Sequence, residues 1–308
     1  MQDPNLVVVG SVAYDSIETP EHSEPSILGG SATYFSLAAR LQDATTGIVA
    51  VVGNDFRPED RRLLADKGVD CRGLEEAQGK TFAWGGRYDA DLKDRETLYT
   101  DLNVFADFKP RLPEAYKNAP YLFLANIDPD LQHDVLAQCT GPEWVGCDTM
   151  NLWIDIKRDS LISLLPKLDM LFINDTEAHQ LTGHRSVLAA ASWIREKGTP
   201  AVVIKRGEYG AVLITETDVF SAPAFLLEDV ADPTGAGDSF GGGMAGALAA
   251  LDSTSGQALR YAAAVGTVTA SFCVQSFGPA RLAQLDGAQL ADRLDAYRKL
   301  TSVPSLES

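Results

Sequence analysis

The sequence is poor in the residues that build metal cages and disulfide frameworks. It carries four histidines and four cysteines in 308 residues. Cys71, Cys139, Cys147 and Cys273 form no C-x-x-C pair, which argues against a zinc site and for reduced thiols in a cytoplasmic protein. Basic residues are also scarce: 26 Lys and Arg face 43 Asp and Glu, a formal charge of -17. Phosphate backbones are held by clustered cations, so neither nucleic acid nor an anionic membrane is expected as a partner. No basic leader precedes an apolar stretch at the N-terminus, so no signal peptide is expected. The longest apolar run, Phe240 to Leu251, is too short for a membrane span. Internal repeats and low-complexity blocks are missing too.

What is present reads as one large α/β domain over residues 1–308. An apolar share of 45% is ample for a core. Short β-branched runs such as Leu6–Gly10, Gly47–Gly53, Tyr121–Ala125, Trp144–Cys147, Met170–Ile173, Ala201–Ile204 and Ala211–Ile214 predict buried strands. Helical stretches alternate with them, which predicts a mostly parallel central sheet with helices on both faces. Residues 80–103 alternate polar and aromatic side chains instead, the pattern of strands with one exposed face. Together with residues from about 12 to 28 they predict a small β-sheet projecting from the body. In a parallel sheet the chemistry sits at the carboxyl ends of the strands. The turns Gly10–Asp15, Asp148–Asn151, Asn174–Glu177 and Lys205–Gly210 all fall there.

The segment "DPTGAGDSFGGG", residues 232–243, admits several readings. Gly237 to Gly241 spells G-x-S-x-G, the turn that carries a hydrolase serine. However, His22, His133, His179 and His184 all precede Ser239, whereas an α/β-hydrolase needs its histidine later. A dinucleotide fingerprint fails for want of a third glycine and for its late position, and no Walker-type loop occurs. Two readings remain. In one, the glycines permit close packing and Asp238 merely favours the positive end of a helix. In the other, bare N–H groups at the helix start hold an anion, and Asp238 accepts a proton from an alcohol attacking it.

"DPTGAGDSFGGGMAGAL" closely resembles the C-terminal signature of the ribokinase-like (PfkB) carbohydrate kinases. "VVVGSVAYD", "LGGSATYFSLAARL", "NDTE" and "VVIKRGEYGAVL" resemble that family's other motifs, in family order. The resemblance implies a ribokinase-like α/β fold with a small β-sheet lid. It implies a kinase that moves the γ-phosphate of ATP, with Mg²⁺, to a hydroxyl of a small sugar-like molecule. Asp238 would be the base, and the N–H groups of Gly235, Ala236 and Gly237 would form the anion hole. Asp15, Gly29, Gly30, Tyr34 and Asp148 would line the acceptor side; Asn151 is a further candidate there. Lys205, Gly207 and Gly210 would face the nucleotide. Asn174 and Glu177 would organise Mg²⁺ through water. Asp232 and Thr234 match positions that in some members contribute to a monovalent-cation site, which would take K⁺. The lid would exclude water on closing.

Departures from the family pattern fall on the acceptor side. Tyr34 stands where many sugar-phosphorylating members carry Asn, Ser31 where ribokinases place Lys, and Ala13 where a polar residue is usual. An aromatic residue at 34 could stack on a nucleobase, so a nucleoside acceptor stays open beside a sugar. A catalytically silent binding protein of the same fold is the alternative from another class. Pairing of two copies through an exposed lid edge is a further expectation, with a monomer as its rival.

Overall fold

The computed structural model describes residues 2–89, 92 and 95–302. Of the 80–103 insertion, residues 90, 91, 93 and 94 lie outside the described set. The chain opens with β1 (Leu6–Val9), β2 (Ala13–Glu18), β3 (Ser23–Gly29) and α1 (Ser31–Arg40). There follow β4 (Thr46–Gly53), α2 (Pro58–Asp66), β5 (Asp70–Ala77), β6 (Phe82–Tyr88) and β7 (Arg95–Asp101). Next come β8 (Tyr121–Leu124), α3 (Pro129–Leu136), β9 (Trp144–Asp148), α4 (Asn151–Ile156) and α5 (Arg158–Leu164). Then β10 (Met170–Asn174), α6 (Asp175–Thr182), α7 (Val187–Glu196), β11 (Ala201–Lys205), β12 (Ala211–Ile214) and β13 (Val219–Ala222) complete the strands. Helices α8 (Ala236–Leu251), α9 (Gly256–Cys273), α10 (Ala280–Gln284) and α11 (Gly287–Thr301) end the described chain.

Nine strands form the main sheet in the order β13-β12-β11-β10-β9-β8-β1-β4-β5. Pairing is parallel from β5 across to β11, and β12 and β13 add on antiparallel. Both faces are covered, as a parallel sheet requires. In β1 the alternation is plain: Leu6 and Val8 join the core under α1, α8 and α9. Val7 and Val9 join the core under the helices of the chain's middle third. Sheet order reverses around β1, whose chain-neighbours run to β4 on one side while β8 flanks it on the other. That switch point opens a crevice at the carboxyl edge.

A second, four-stranded sheet has the order β3-β2-β6-β7. Its β2–β6 pair is parallel and its outer pairs antiparallel. Three polar anchors tie it to the body: Tyr14 Oη donates to Asp60 Oδ2 (2.9 Å), Thr81 Oγ1 donates to Asp55 Oδ1 (2.7 Å), and Tyr88 Oη meets Thr234 Oγ1 (2.9 Å).

Two strands escape the sequence patterns, β5 ("DCRGLEEA") and β13 ("VFSA"). They form the two edges of the main sheet, where one flank meets solvent and charged residues interrupt the apolar run. Asp15, expected in a turn, sits within β2. Between β9 and β10 the chain forms two separate helices, α4 and α5.

Helix α8 is nearly all small residues and is buried along most of its length. Glycine inside a helix costs roughly 1 kcal/mol against alanine, so a compensating contact is required. It is backbone-on-backbone packing with α1. A methyl at Gly242 would collide with the Phe35 carbonyl oxygen, and one at Gly246 would stand 2.7 Å from Ala39 Cα. Gly242→Ala is therefore expected to lower unfolding free energy by about 1–3 kcal/mol, the scale of overpacking, read from urea midpoints. Gly256→Ala is the control, because a methyl there meets nothing within 4 Å; its midpoint should hold or rise. Equal losses in both variants would reject the close-approach account.

Candidate active site

The last residues of β9, β10 and β11 are Asp148, Asn174 and Lys205, side by side at the carboxyl edge of the main sheet. Lys205 Nζ donates to Asp148 Oδ2 at 2.5 Å, and both side chains are largely buried. Burial alone would push the ammonium's pKa down. The carboxylates of Asp148, Glu177 and Asp238 outweigh it and hold Lys205 above its ordinary value, so it stays protonated. A methyl on Gly237 would lie 3.2 Å from Lys205 Nζ. The ammonium thus sits at the start of α8, a local positive charge in an acidic chain.

Gly235 caps α8 with φ 77°, a left-handed conformation that other residues adopt only with strain. Its missing side chain admits Tyr34: a methyl would come within 2.5 Å of the ring. The first intrahelical bond runs from Ser239 N–H to the Gly235 carbonyl at 2.8 Å. Ala236 N–H turns back to the Pro233 carbonyl at 3.2 Å. Gly237 and Asp238 follow in the first turn of α8. Of the expected Gly235–Ala236–Gly237 set, Ala236 therefore has its amide turned to Pro233. Ser239 is fully buried, which removes it as a nucleophile.

On the acceptor side, Asp15 is buried and lies directly over Gly29, where any side chain would collide with its carboxylate. Gly30 caps α1 with φ 93° and packs on the Ser11 carbonyl. Ser11 and Ser31 link the two turns, each backbone N–H donating to the other's hydroxyl at 3.1 and 3.0 Å. Tyr34 departs from expectation. It is 1% exposed and its ring packs against Gly235, leaving no open face for stacking. Burial, then the charges of Asp15, Cys273, Asp232 and Asp238, hold its hydroxyl well above the ordinary value.

Asn174 and Glu177 form a reciprocal capping box on α6: Asn174 Oδ1 accepts from Glu177 N–H (2.7 Å) and Glu177 Oε2 from Asn174 N–H (2.9 Å). Both reach the carboxyl edge, but each already serves the helix. Gly207 and Gly210 close the β11–β12 connection, where Arg206 N–H donates to the Gly210 carbonyl at 2.7 Å. The Asp232 carboxyl is fully buried and its pKa is raised by that burial. Its Oδ1 accepts from Thr234 N–H at 2.8 Å. Oδ2 has no hydrogen-bond partner within ordinary distance, although the Gly278 N–H faces the group.

Two residues were not singled out from sequence. Tyr88 reaches from β6 to Thr234. Trp84 stands opposite Asp15 in the β2–β6 register, so both share one face of the small sheet. A methyl at Gly86 would collide with the Trp84 ring, which lies over it. The alternation of "FAWGGRY" puts Trp84 and Tyr88 on one face, but only the pairing with β2 shows that Asp15 shares it.

The model of the pfkB family carbohydrate kinases matches residues 3–284. A cytidine kinase from Thermococcus kodakarensis is 30% identical over 244 residues, spanning 78% of this chain and 86% of that protein. A nucleoside kinase from Methanothermobacter thermautotrophicus is 29% identical over 295 residues, 90% of this chain and 91% of its own. The structure of a putative ribokinase II from E. coli in complex with ATP and Mg²⁺ superposes with a TM-score of 0.77 at 20% identity, covering 96% of this chain and 100% of that one. The chain belongs to the pfkB family of carbohydrate kinases.

Proposed function

We propose that this kinase transfers the γ-phosphate of ATP to a hydroxyl of a ribose-bearing acceptor, a nucleoside in the first instance, with Asp238 as the base. The observation that carries this reading is the convergence at the start of α8. The Lys205 ammonium, the glycine turn that opens α8 and Asp238 in the first turn of that helix all meet there. Asp238 accepts the acceptor's hydroxyl proton as that oxygen bonds to the γ-phosphorus. The bond from phosphorus to the β–γ bridging oxygen breaks, and ADP leaves. Lys205 and the helix amides neutralise the oxygens of the group in flight. Asp15 accepts from acceptor hydroxyls, with Gly29 and Gly30 letting the acceptor approach the backbone.

A nucleoside is favoured over a bare sugar because Trp84 shares the Asp15 face, and because the similar proteins above act on cytidine and nucleosides. The small sheet would be the lid that covers this pocket. Among the described residues no three His, Cys, Asp or Glu converge as a metal cage. This fits Mg²⁺ held mostly by phosphate oxygens and water, with Asn174 and Glu177 orienting those waters. Bound there, Mg²⁺ would supply charge neutralisation across the phosphates. The orphaned oxygen of Asp232 fits a monovalent cation such as K⁺.

Assayed by ADP release over a panel of nucleosides and free sugars, the wild type should turn over nucleosides fastest. Turnover confined to sugars rejects the acceptor assignment. Asp238→Asn is expected to lose at least roughly a hundredfold in kcat, the scale of a lost general base, with ATP binding kept; near-normal turnover would falsify the base assignment.

A third expectation concerns Asp232, whose carboxyl is raised on folding. Such a group stabilises below its unfolded value of about 3.9 and loses that contribution as pH rises through the folded value. In potassium-free buffer at pH 7, Asp232→Asn should raise the melting midpoint by roughly 2–4 °C, the shift about 1 kcal/mol gives at this size. The gap should close on acidification, and K⁺ should raise only the wild-type midpoint. A variant less stable than wild type under these conditions would sink the orphaned-carboxylate account.

A further inference from the structure

Thr234 precedes the turn that starts α8, and it is held at three points by three different parts of the molecule. Its amide donates to Asp232 Oδ1 at 2.8 Å, within its own loop. Its carbonyl accepts from Cys273 Sγ at 3.5 Å, at the end of α9. Its hydroxyl meets Tyr88 Oη at 2.9 Å, on the last residue of β6 in the small sheet. The first two anchors belong to the main body. The third crosses 146 residues of sequence and joins the small sheet to the loop before α8. Tyr88 is buried, although its strand lies beside the exposed β7.

We infer that Tyr88 is a positioning residue: through Thr234 it carries the placement of the small sheet to the first turn of α8. This inference rests on the phosphoryl-transfer reading of the α8 start. Thr234 is next to Gly235, whose left-handed turn aims the first helical amides. A shift of the Thr234 side chain is passed on through the Gly235 turn and Ala236 to the amides that follow. Held by Tyr88, the donors are in place only when the sheet that carries Asp15 is docked. Phosphate stabilisation is then linked to the acceptor being covered, which disfavours transfer to water. Tyr88 touches no reacting atom in this account and acts through Thr234.

The test is a double-mutant cycle on the full chain with Tyr88→Phe, Thr234→Val and the pair, with Thr234→Ser as the hydroxyl-keeping variant. Acceptor phosphorylation and acceptor-free ATP hydrolysis are measured separately, with melting curves to confirm folding. Each single change should lower kcat for transfer about five- to tenfold, the scale of one hydrogen bond, with a smaller change in acceptor KM. The ratio of transfer to hydrolysis should fall. The double variant should be no worse than the poorer single, and Thr234→Ser should keep the wild-type ratio. Losses that multiply in the double variant, or an unchanged ratio, overturn the link. Amide hydrogen exchange at 234–238 gives a readout independent of turnover: it should quicken in Tyr88→Phe, and identical protection overturns the link as well. Asp238→Asn run alongside separates the two ideas. Its full activity rejects the base reading whatever the cycle gives, while its inactivity with a multiplicative cycle rejects the latch alone.

Discussion

Two helices begin at the site, and the spacing of their first turns depends on side chains that are missing. Helix α1 starts at Gly30 beside Asp15, and α8 starts at Gly235 beside Lys205. Gly242 and Gly246 bring the backbones of the two helices into contact, and Gly235 admits the Tyr34 ring of α1. The helices are therefore joined along their length before any ligand arrives. Protein interiors are close-packed and transmit small displacements. Asp238 and the Gly29–Gly30 turn keep their separation because neither helix can slide without opening that seam.

Electrostatics works against this arrangement and is managed locally. The chain carries a formal charge of -17, and Asp15, Asp148, Asp232 and Glu177 are all buried near the crevice. Lys205 is held charged among three of the crevice carboxylates, a local counter-charge in a chain of the opposite sign. Breaking a buried ion pair leaves an uncompensated charge and costs several kcal/mol, whereas the intact pair is close to neutral for stability. The Lys205–Asp148 contact is better understood as holding the ammonium in position than as strengthening the fold.

Much of this was legible before any coordinates, and the boundary has a physical cause. Asp238, the glycine turns and the Asn174–Glu177 pair are local patterns in which a few consecutive residues dictate the backbone. The Asn174–Glu177 pair also shows the ambiguity of a local pattern, since the same two residues make a complete capping box. Strands β5 and β13 were hidden because edge strands relax the apolar pattern that a doubly covered strand must keep. Tyr34 was misjudged because its neighbourhood is decided by a helix some 200 residues later in the chain. Tyr88 was invisible for the same reason: its partner Thr234 is far away in sequence and near only in the folded chain.

The parallel pairing of β2 with β6 has a consequence for how this architecture can change. A parallel pair cannot be closed by a tight hairpin, so the small sheet is two separate excursions stitched along one seam. Neither excursion is a module in its own right. Transplanting acceptor recognition from a homologue would mean exchanging both loops together, with the seam's register preserved, and a graft of either alone would leave a raw edge over the crevice.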